Sequence, residues 1–392
     1  MILEVNVDWA GSHSDFEEGS YHLALASARH PIHGYLFPKL QSLSVFVSHP
    51  PKLLASMVFL QPELQAITVN INNQSGHWEN SDGTEGIASF IGAAAFRCPD
   101  LLHLAVMGDS PGSWHCTSSR FSSLIGQMTL LITLELVNAR LQKDDLFALL
   151  SDLPWLESID IRGGVSNGWL EKAVEEEALF EGAFPSLRSF QGDLSFDLLA
   201  ILIHPYFPLR SLELLTMEGC EMGLTEELTK TIGGLPLVEL KLKMGPEQFR
   251  INDLLPLSTL TNLRVLEITS QIHFTITDDE LYPLIGSWAK LETIRLSNSS
   301  STTLRSVRSL LEHCPVILVI QINVDASELP EMTEDNSANT EEKEPNRNCR
   351  SHILPPVELE GKEWKVTTRD PVEGWIYLVG KQAGRTINMR WI

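Results

Sequence analysis

Apolar side chains return along this chain in a short phrase, L-x-x-L-x-L with Ile, Val or Phe allowed. It begins at Leu40, Leu64, Leu101, Leu131, Leu156, Leu187, Leu209, Leu237, Leu263, Leu291 and Ile317. Inside a phrase the period is two, so Leu134 and Leu136, or Leu240 and Leu242, share one side while the residues between them stay wet; this predicts a short strand. Between phrases the period lengthens to about 3.6, which predicts helices. Apolar residues stand at offsets 0, 3, 4 and 7 in Ile87/Phe90/Ile91/Ala94, Phe121/Leu124/Ile125/Met128, Leu146/Leu149/Leu150/Leu153, Leu228/Thr231/Ile232/Leu235 and Leu281/Leu284/Ile285/Trp288, with Thr231 breaking its stripe. Thr277-Asp-Asp-Glu280 opens the last of these as a capping box with an acidic first turn. Prolines at 99, 154, 185, 208, 236 and 315 stand just before strand phrases, where a helix must stop.

The steps between phrases are 24, 37, 30, 25, 31, 22, 28, 26, 28 and 26 residues. They scatter around the period of about 20 to 29 residues that marks leucine-rich repeats, with a few loop insertions. One such strand cannot bury its apolar face alone, whereas stacked neighbours build a continuous core. The expected fold is therefore an α/β leucine-rich-repeat solenoid, with parallel strands on a concave face and helices on a convex one. Residues 1–35 are expected as an irregular N-terminal cap, although Leu3, Val5 and Val7 alternate as a strand does. Residues 36–328 form the array of about eleven repeats. Residues 329–352 hold almost nothing apolar and read as a disordered acidic linker. Residues 353–392 regain aromatics at Trp364, Trp375, Tyr377 and Trp391, which suits either a small hairpin or a segment docked on the array's end.

The net charge of −22 disfavours nucleic acid as a partner, because phosphate contacts need a Lys/Arg surface, and suits a basic protein instead. Five cysteines with no close pair, at 98, 116, 220, 314 and 349, fit reduced thiols of the cytosol or nucleus. No basic, apolar leader opens the sequence and no run approaches the roughly 18 apolar residues of a membrane span. The expectation is a cytoplasmic or nuclear protein with no membrane partner.

Catalytic and cofactor motifs are missing: no G-x-x-x-x-G-K-[ST], G-x-S-x-G, H-E-x-x-H or C-x-x-C occurs. His30 and His33, and His313 beside Cys314, lack further ligands at metal spacing, and Gly163-Gly164 and Gly233-Gly234 read as turns. No enzyme activity and no cofactor are expected. The repeat does give its surface a direction, since the third and fifth positions of each phrase flank the buried fourth and belong to the concave face. Along its middle the sequence places Glu135, Asp160, Glu213, Glu239 and Glu267, relieved by Lys241 and Arg295, beside small hydroxyl residues. A strip of acids of this kind holds a basic peptide or loop through charge-assisted hydrogen bonds.

The stretch Thr277-Asp-Asp-Glu-Leu281, then Trp288-Ala-Lys-Leu-Glu-Thr-Ile-Arg-Leu296, then Thr303-Leu304 and His313-Cys-Pro315, ending in Asn323-Val-Asp-Ala326, resembles the distal repeats of fungal F-box/leucine-rich-repeat proteins. Phe37-Pro-Lys-Leu-Gln-Ser-Leu43 and Phe184-Pro-Ser-Leu-Arg-Ser-Phe190 are similar to the same family's F-P-x-L-x-S-L phrases. The resemblance spans about residues 35–328. It implies the substrate-recognition part of an SCF ubiquitin ligase receptor, acting in ubiquitin-dependent protein catabolism, with the SCF adaptor and cullin as partners through an F-box. No F-box, with its L-P-x-E-[LI] opening, is evident upstream of the array. A repeat-only scaffold or inhibitor is the alternative, while a leucine-rich GTPase-activating protein would keep an asparagine ladder that here only Asn72 satisfies.

Overall fold

The computed structural model describes residues 4–8, 37–73, 78, 81–110, 112–116, 119–141, 146–163, 183–192, 212–220, 226–244, 251–300 and 302–324, with strands at 357–359, 362–368, 375–380 and 386–391. The expected linker at 329–352, the His30/His33 pair and the phrase start at Leu209 lie outside these residues. The chain forms two units, Met1–Cys220 and Glu221–Ile392.

In the first unit the strands are β1 (Glu4–Asp8), β2 (Ser42–Val47), β3 (Ala66–Ile71), β4 (His103–Gly108), β5 (Trp114–Cys116), β6 (Thr133–Val137), β7 (Ala139–Leu141), β8 (Ser158–Arg162), β9 (Ser189–Gly192) and β10 (Leu214–Cys220). β5 and β7 pair only with each other; the other eight lie side by side in chain order, all parallel. Their register stacks like on like: Leu43, Ile67, Leu104, Leu134, Ile159, Phe190 and Leu215 are successive partners and all are buried. Each such side chain contributes roughly 1.5–3 kcal/mol relative to exposure. Phe190 is followed two residues later by Gly192, and a β-carbon there would stand 3.1 Å from the Phe190 ring, so one large residue occupies the room of two.

β1 lies inside the stretch expected to be irregular and pairs with β2 from Glu4 opposite Ser42 to Asp8 opposite Phe46, extending the array by one strand. The seventh phrase also moves. Leu214 pairs with Ser189 and Leu215 with Phe190, and Leu212, Leu215 and Met217 are fully buried while Leu214 is 37% exposed. The frame therefore begins at Leu212 rather than Leu209, and the flanking steps become 25 and 25 residues.

Four helices, α1 (Pro50–Ala55), α2 (Ser81–Arg97), α3 (Ser119–Gly126) and α4 (Leu146–Ser151), pack side by side in this unit. The expected stripe of α2 is wholly buried at Ile87, Phe90, Ile91 and Ala94. Ahead of several strands the chain turns through an N–H reaching back three residues: Leu101 to Cys98 O at 3.2 Å, Leu131 to Met128 O at 3.0 Å and Leu187 to Phe184 O at 3.3 Å. Proline at the second position of such a turn, as at 99 and 185, has its φ already set.

Strand-end carbonyls need donors once the ladder stops. The Trp78 indole N–H reaches Ser48 O at 3.2 Å, the Trp114 indole reaches Val137 O at 3.1 Å, and the Asn138 amide reaches Gly108 O at 2.8 Å. Two buried indoles and one asparagine thus do the work of an asparagine ladder. Gly163 follows β8 at φ +120, where a β-carbon would lie 2.4 Å from Asn138 Cα, so its turn role is set by the close passage of the neighbouring repeat.

The second unit carries β11 (Glu239–Met244), β12 (Val265–Thr275), β13 (Thr293–Ser300) and β14 (Val319–Val324), parallel and in order, with helices α5 (Glu226–Gly233), α6 (Asp278–Ile285) and α7 (Leu304–His313) and a 3-10 segment at Ile251–Thr259. Residues 353–392 supply β15 (Val357–Leu359), β16 (Lys362–Thr368), β17 (Trp375–Gly380) and β18 (Thr386–Trp391). These form an antiparallel meander whose last strand returns parallel to β14, Ile387 opposite Ile320 and Met389 opposite Ile322.

Between α6 and α7 one carboxylate joins two helix starts. Asp278 accepts from the Thr303 N–H at 2.8 Å and from the Thr303 and Ser306 hydroxyls at 2.5 Å each. Within α6, Glu280 accepts from the Thr277 N–H and hydroxyl at 2.9 and 2.7 Å, the carboxylate half of the expected capping box. Partial burial pushes the Asp278 pKa up, but the bonds from Ser306 and Thr303 and the nearby Arg305 outweigh it and hold the carboxyl below its ordinary value.

Leu266→Ala, which empties a buried site on β12, is expected to lower stability by about 2–5 kcal/mol in urea unfolding. Asp278→Asn tests the helix staple. A carboxyl whose folded pKa is depressed stabilises the fold above its unfolded pKa, and that contribution fades as pH falls through the folded value. The stability gap between wild type and Asp278→Asn is therefore expected to be largest at neutral pH and to close in acid; a gap independent of pH would contradict the staple.

Candidate protein-binding faces

Side chains between the buried ones point away from the helices. In the first unit the fifth phrase position runs Ser44, Thr68, Ala105, Glu135, Asp160 and Gln191, each half-buried, and the third position adds Ser42, Ala66, Thr133, Ser158 and Ser189 with an exposed His103. Small hydroxyl and methyl side chains make a low floor here. Two residues beyond the fifth position, the same alternation brings up a column the sequence reading did not follow: Phe46, Asn70, Met107, Val137 and Arg162. Phe46 is 42% exposed. The floor is therefore edged by apolar side chains that the core does not use.

The expected acidic strip is rearranged. Glu135 stands on β6 with no ion-pair or hydrogen-bond partner among the described residues. Asp160 is held by Arg162, two residues along the same strand, through two bonds of 2.8 and 2.7 Å. Glu213 leaves the face altogether: the corrected frame makes it the second residue of its phrase, exposed ahead of β10, and Thr216 takes the position opposite Gln191. In the second unit Glu239 pairs with Lys241 on β11, and Glu267 pairs with Arg295 directly across β12 and β13 at 2.9 Å. Of the seven expected site residues six stay on the strand faces, and among these Glu135 is the acid with no partner among the described residues while the others form ion pairs. The cause lies in the strand period: an acid and a base two apart, or opposite in register, share one face and meet.

On the helix side of the second unit a cleft of about 290 Å³ lies between α6 and α7, lined by Asp278, Tyr282, Arg305, Ser306, Arg308 and Glu312 among others. Several of its polar groups are engaged in holding the fold. Asp278 staples the two helix starts, Arg308 pairs with Glu312 at 2.7 Å, and the Tyr282 ring meets His313 edge-on at 5.6 Å. Burial pushes the Cys98 and Cys314 thiols up to about 11, so both stay protonated at neutral pH and are poor nucleophiles. Among the described residues no three His, Cys, Asp or Glu side chains group as a metal site would require, and no helix is long and apolar enough to cross a membrane.

No family model matches the chain, and no curated protein matches it. Among solved structures, a leucine-rich-repeat protein of Leptospira interrogans is similar at 14% identity and a TM-score of 0.37, over 76% of this chain and 87% of that one. The leucine-rich-repeat ectodomain of the plant membrane receptor kinase GASSHO1/SCHENGEN3 from Arabidopsis thaliana, solved in complex with CASPARIAN STRIP INTEGRITY FACTOR 2, is similar at 12% identity and a TM-score of 0.26. That likeness covers 74% of this chain and 42% of the ectodomain.

Proposed function

We propose that this chain is a non-catalytic protein-recognition array, and that it serves as the substrate-recognising part of an F-box-type ubiquitin ligase receptor. The observation that carries the binding reading is the strand face of the first unit. It joins a floor of small hydrogen-bonding side chains to exposed Phe46, half-buried Met107 and Val137, and the unpaired Glu135. An aromatic side chain on a strand face, with no core to fill, is the kind of residue that anchors a partner. Because most of the acids on the strand faces are already paired, the partner engages this face by hydrogen bonds and apolar contact, with one basic group opposite Glu135. The ubiquitin-ligase part rests on the resemblance carried by Thr277-Asp-Asp-Glu-Leu281, Trp288-Ala-Lys-Leu-Glu292, His313-Cys-Pro315 and Phe37-Pro-Lys-Leu-Gln-Ser-Leu43.

The test is affinity purification from the native locus with quantitative mass spectrometry. Wild-type protein is expected to recover the SCF adaptor, the cullin and a set of substrates. The double variant Phe46→Ala, Glu135→Lys is expected to keep the adaptor and cullin, lose substrates by about tenfold or more and unfold at nearly the wild-type temperature. Recovery of one partner in near-equal amount without adaptor or cullin would replace the receptor with a repeat-only scaffold or inhibitor.

A further inference from the structure

Most described repeats of the array turn onto the strand through the same short segment, and this repetition provides an internal control for the positions in it. The residue just before the first leucine of the phrase is Lys39, Glu63, Asp100, Ser186, Asn262 or Lys290 in six described repeats, with Pro236 and Val316 as the other cases. In two adjacent repeats of the first unit it is Leu130 and Trp155, which are 38% and 60% exposed. The second phrase position varies as well: it holds Arg264 and Glu292 in two repeats of the second unit and Val238 and Leu318 in its others, and in the first unit Leu102 and Ile132 stand in adjacent repeats among Gln41, Gln65, Glu157, Arg188 and Glu213.

The polar version of this rim closes on itself. In the second unit Lys290 Nζ donates to Asn262 Oδ1 at 2.8 Å, and Arg264 pairs with Glu292 at 2.6 Å, so equivalent side chains of neighbouring repeats reach one another. In the first unit the same four places hold Leu130, Trp155, Ile132 and Glu157. Their backbones are fixed by the ladder, Glu157 N–H to Ile132 O at 2.9 Å and Ser158 N–H to the same oxygen at 3.0 Å. The fold does not require apolar side chains there, since the repeats with Asn262/Arg264 and Lys290/Glu292 fill the same places with polar pairs, although the last repeat carries Val316 and Leu318, 46% and 43% exposed. A large exposed apolar side chain on a rigid edge is instead what an interface anchor looks like.

The surrounding charge says what would cover it. Asp152 and Glu157 flank Trp155, and Asp100 precedes the neighbouring strand; all three are exposed and have no partner among the described residues. We propose that this rim, at the entry to β6 and β8, docks a basic segment of a protein partner, with a lysine or arginine stacked on Trp155 between Asp152 and Glu157 and an apolar side chain resting on Leu130 and Ile132. Cations gain from an indole face, and the carboxylates add charge-assisted bonds. A second copy of the chain is disfavoured by the like charge each rim would bring to the other. This inference deepens the protein-binding reading above and rests on it, but moves the contact from the strand face to the edge.

The probe is a short fluorescein-labelled peptide of lysines and leucines, titrated by fluorescence anisotropy, with a glutamate-leucine peptide as its counterpart. Trp155→Ala and Asp152→Lys/Glu157→Lys are each expected to weaken the lysine peptide by about tenfold or more, while Glu63→Lys, an exposed acid at the same place in another repeat, leaves it within about twofold. Leu130→Asn/Trp155→Lys, which installs the pair used by the second unit, is expected to abolish binding with thermal stability preserved. Equal losses from Glu63→Lys and the rim acids, with none from Trp155→Ala, would mean attraction to net charge alone and overturn the proposal. Loss only with Phe46→Ala/Glu135→Lys would overturn the rim while leaving the protein-binding reading intact. A dimer seen in sedimentation that Trp155→Ala dissolves, with peptide binding unchanged, would assign the rim to self-association and overturn it as well.

Discussion

Everything in this molecule hangs on the backbone ladder between parallel strands of successive repeats. A parallel strand cannot bury its apolar side by folding back on its immediate neighbour in sequence, so each repeat must leave by a helix or turn and return beside the last. In-register pairing then forces identical phrase positions into columns: the first, fourth and sixth inward, the third and fifth outward. The core, the strand face and the rim are therefore three columns of one ladder. A change in register at any strand would move all three together.

That dependence explains what could be read from the residues and what could not. Repeat length, strand direction and the helix stripe at Ile87, Phe90, Ile91 and Ala94 follow from apolar spacing, which is a local property. The seventh phrase fails for a specific reason. Leu209, Leu212 and Leu214 satisfy the phrase, and so do Leu212, Leu215 and Met217 once Met is admitted at its last position. Only pairing with Ser189 and Phe190 separates the two frames. The roles of Trp78 and Trp114 were equally invisible, because an indole that satisfies a carbonyl 30 or 23 residues away has no mark in its own neighbourhood.

The strand-face residues were found largely where the phrase placed them, but their state was not. Reading one column at a time named the acids with Lys241 and Arg295 among them, but not which base meets which acid; the structure shows each base one step along the strand or one strand across. Arg162 was in the next column and Arg295 in the next repeat, each near enough to neutralise its acid. Surface pairs of this kind add little stability, commonly about 0–1 kcal/mol. Their larger effect is on what an approaching molecule feels.

A carboxylate and a guanidinium held side by side act at a distance as a dipole, whose potential falls off faster than that of a lone charge. Beyond about 8–10 Å in physiological salt even lone charges are screened. The paired strand faces therefore do not steer a partner from afar, and encounter there is limited by orientation, at rates of roughly 10⁵–10⁷ M⁻¹s⁻¹. Recognition on such a surface is decided late, after contact, by how well a partner's own groups match dipoles already fixed in place, so selectivity would be expressed in how long a complex lasts rather than in how fast it forms.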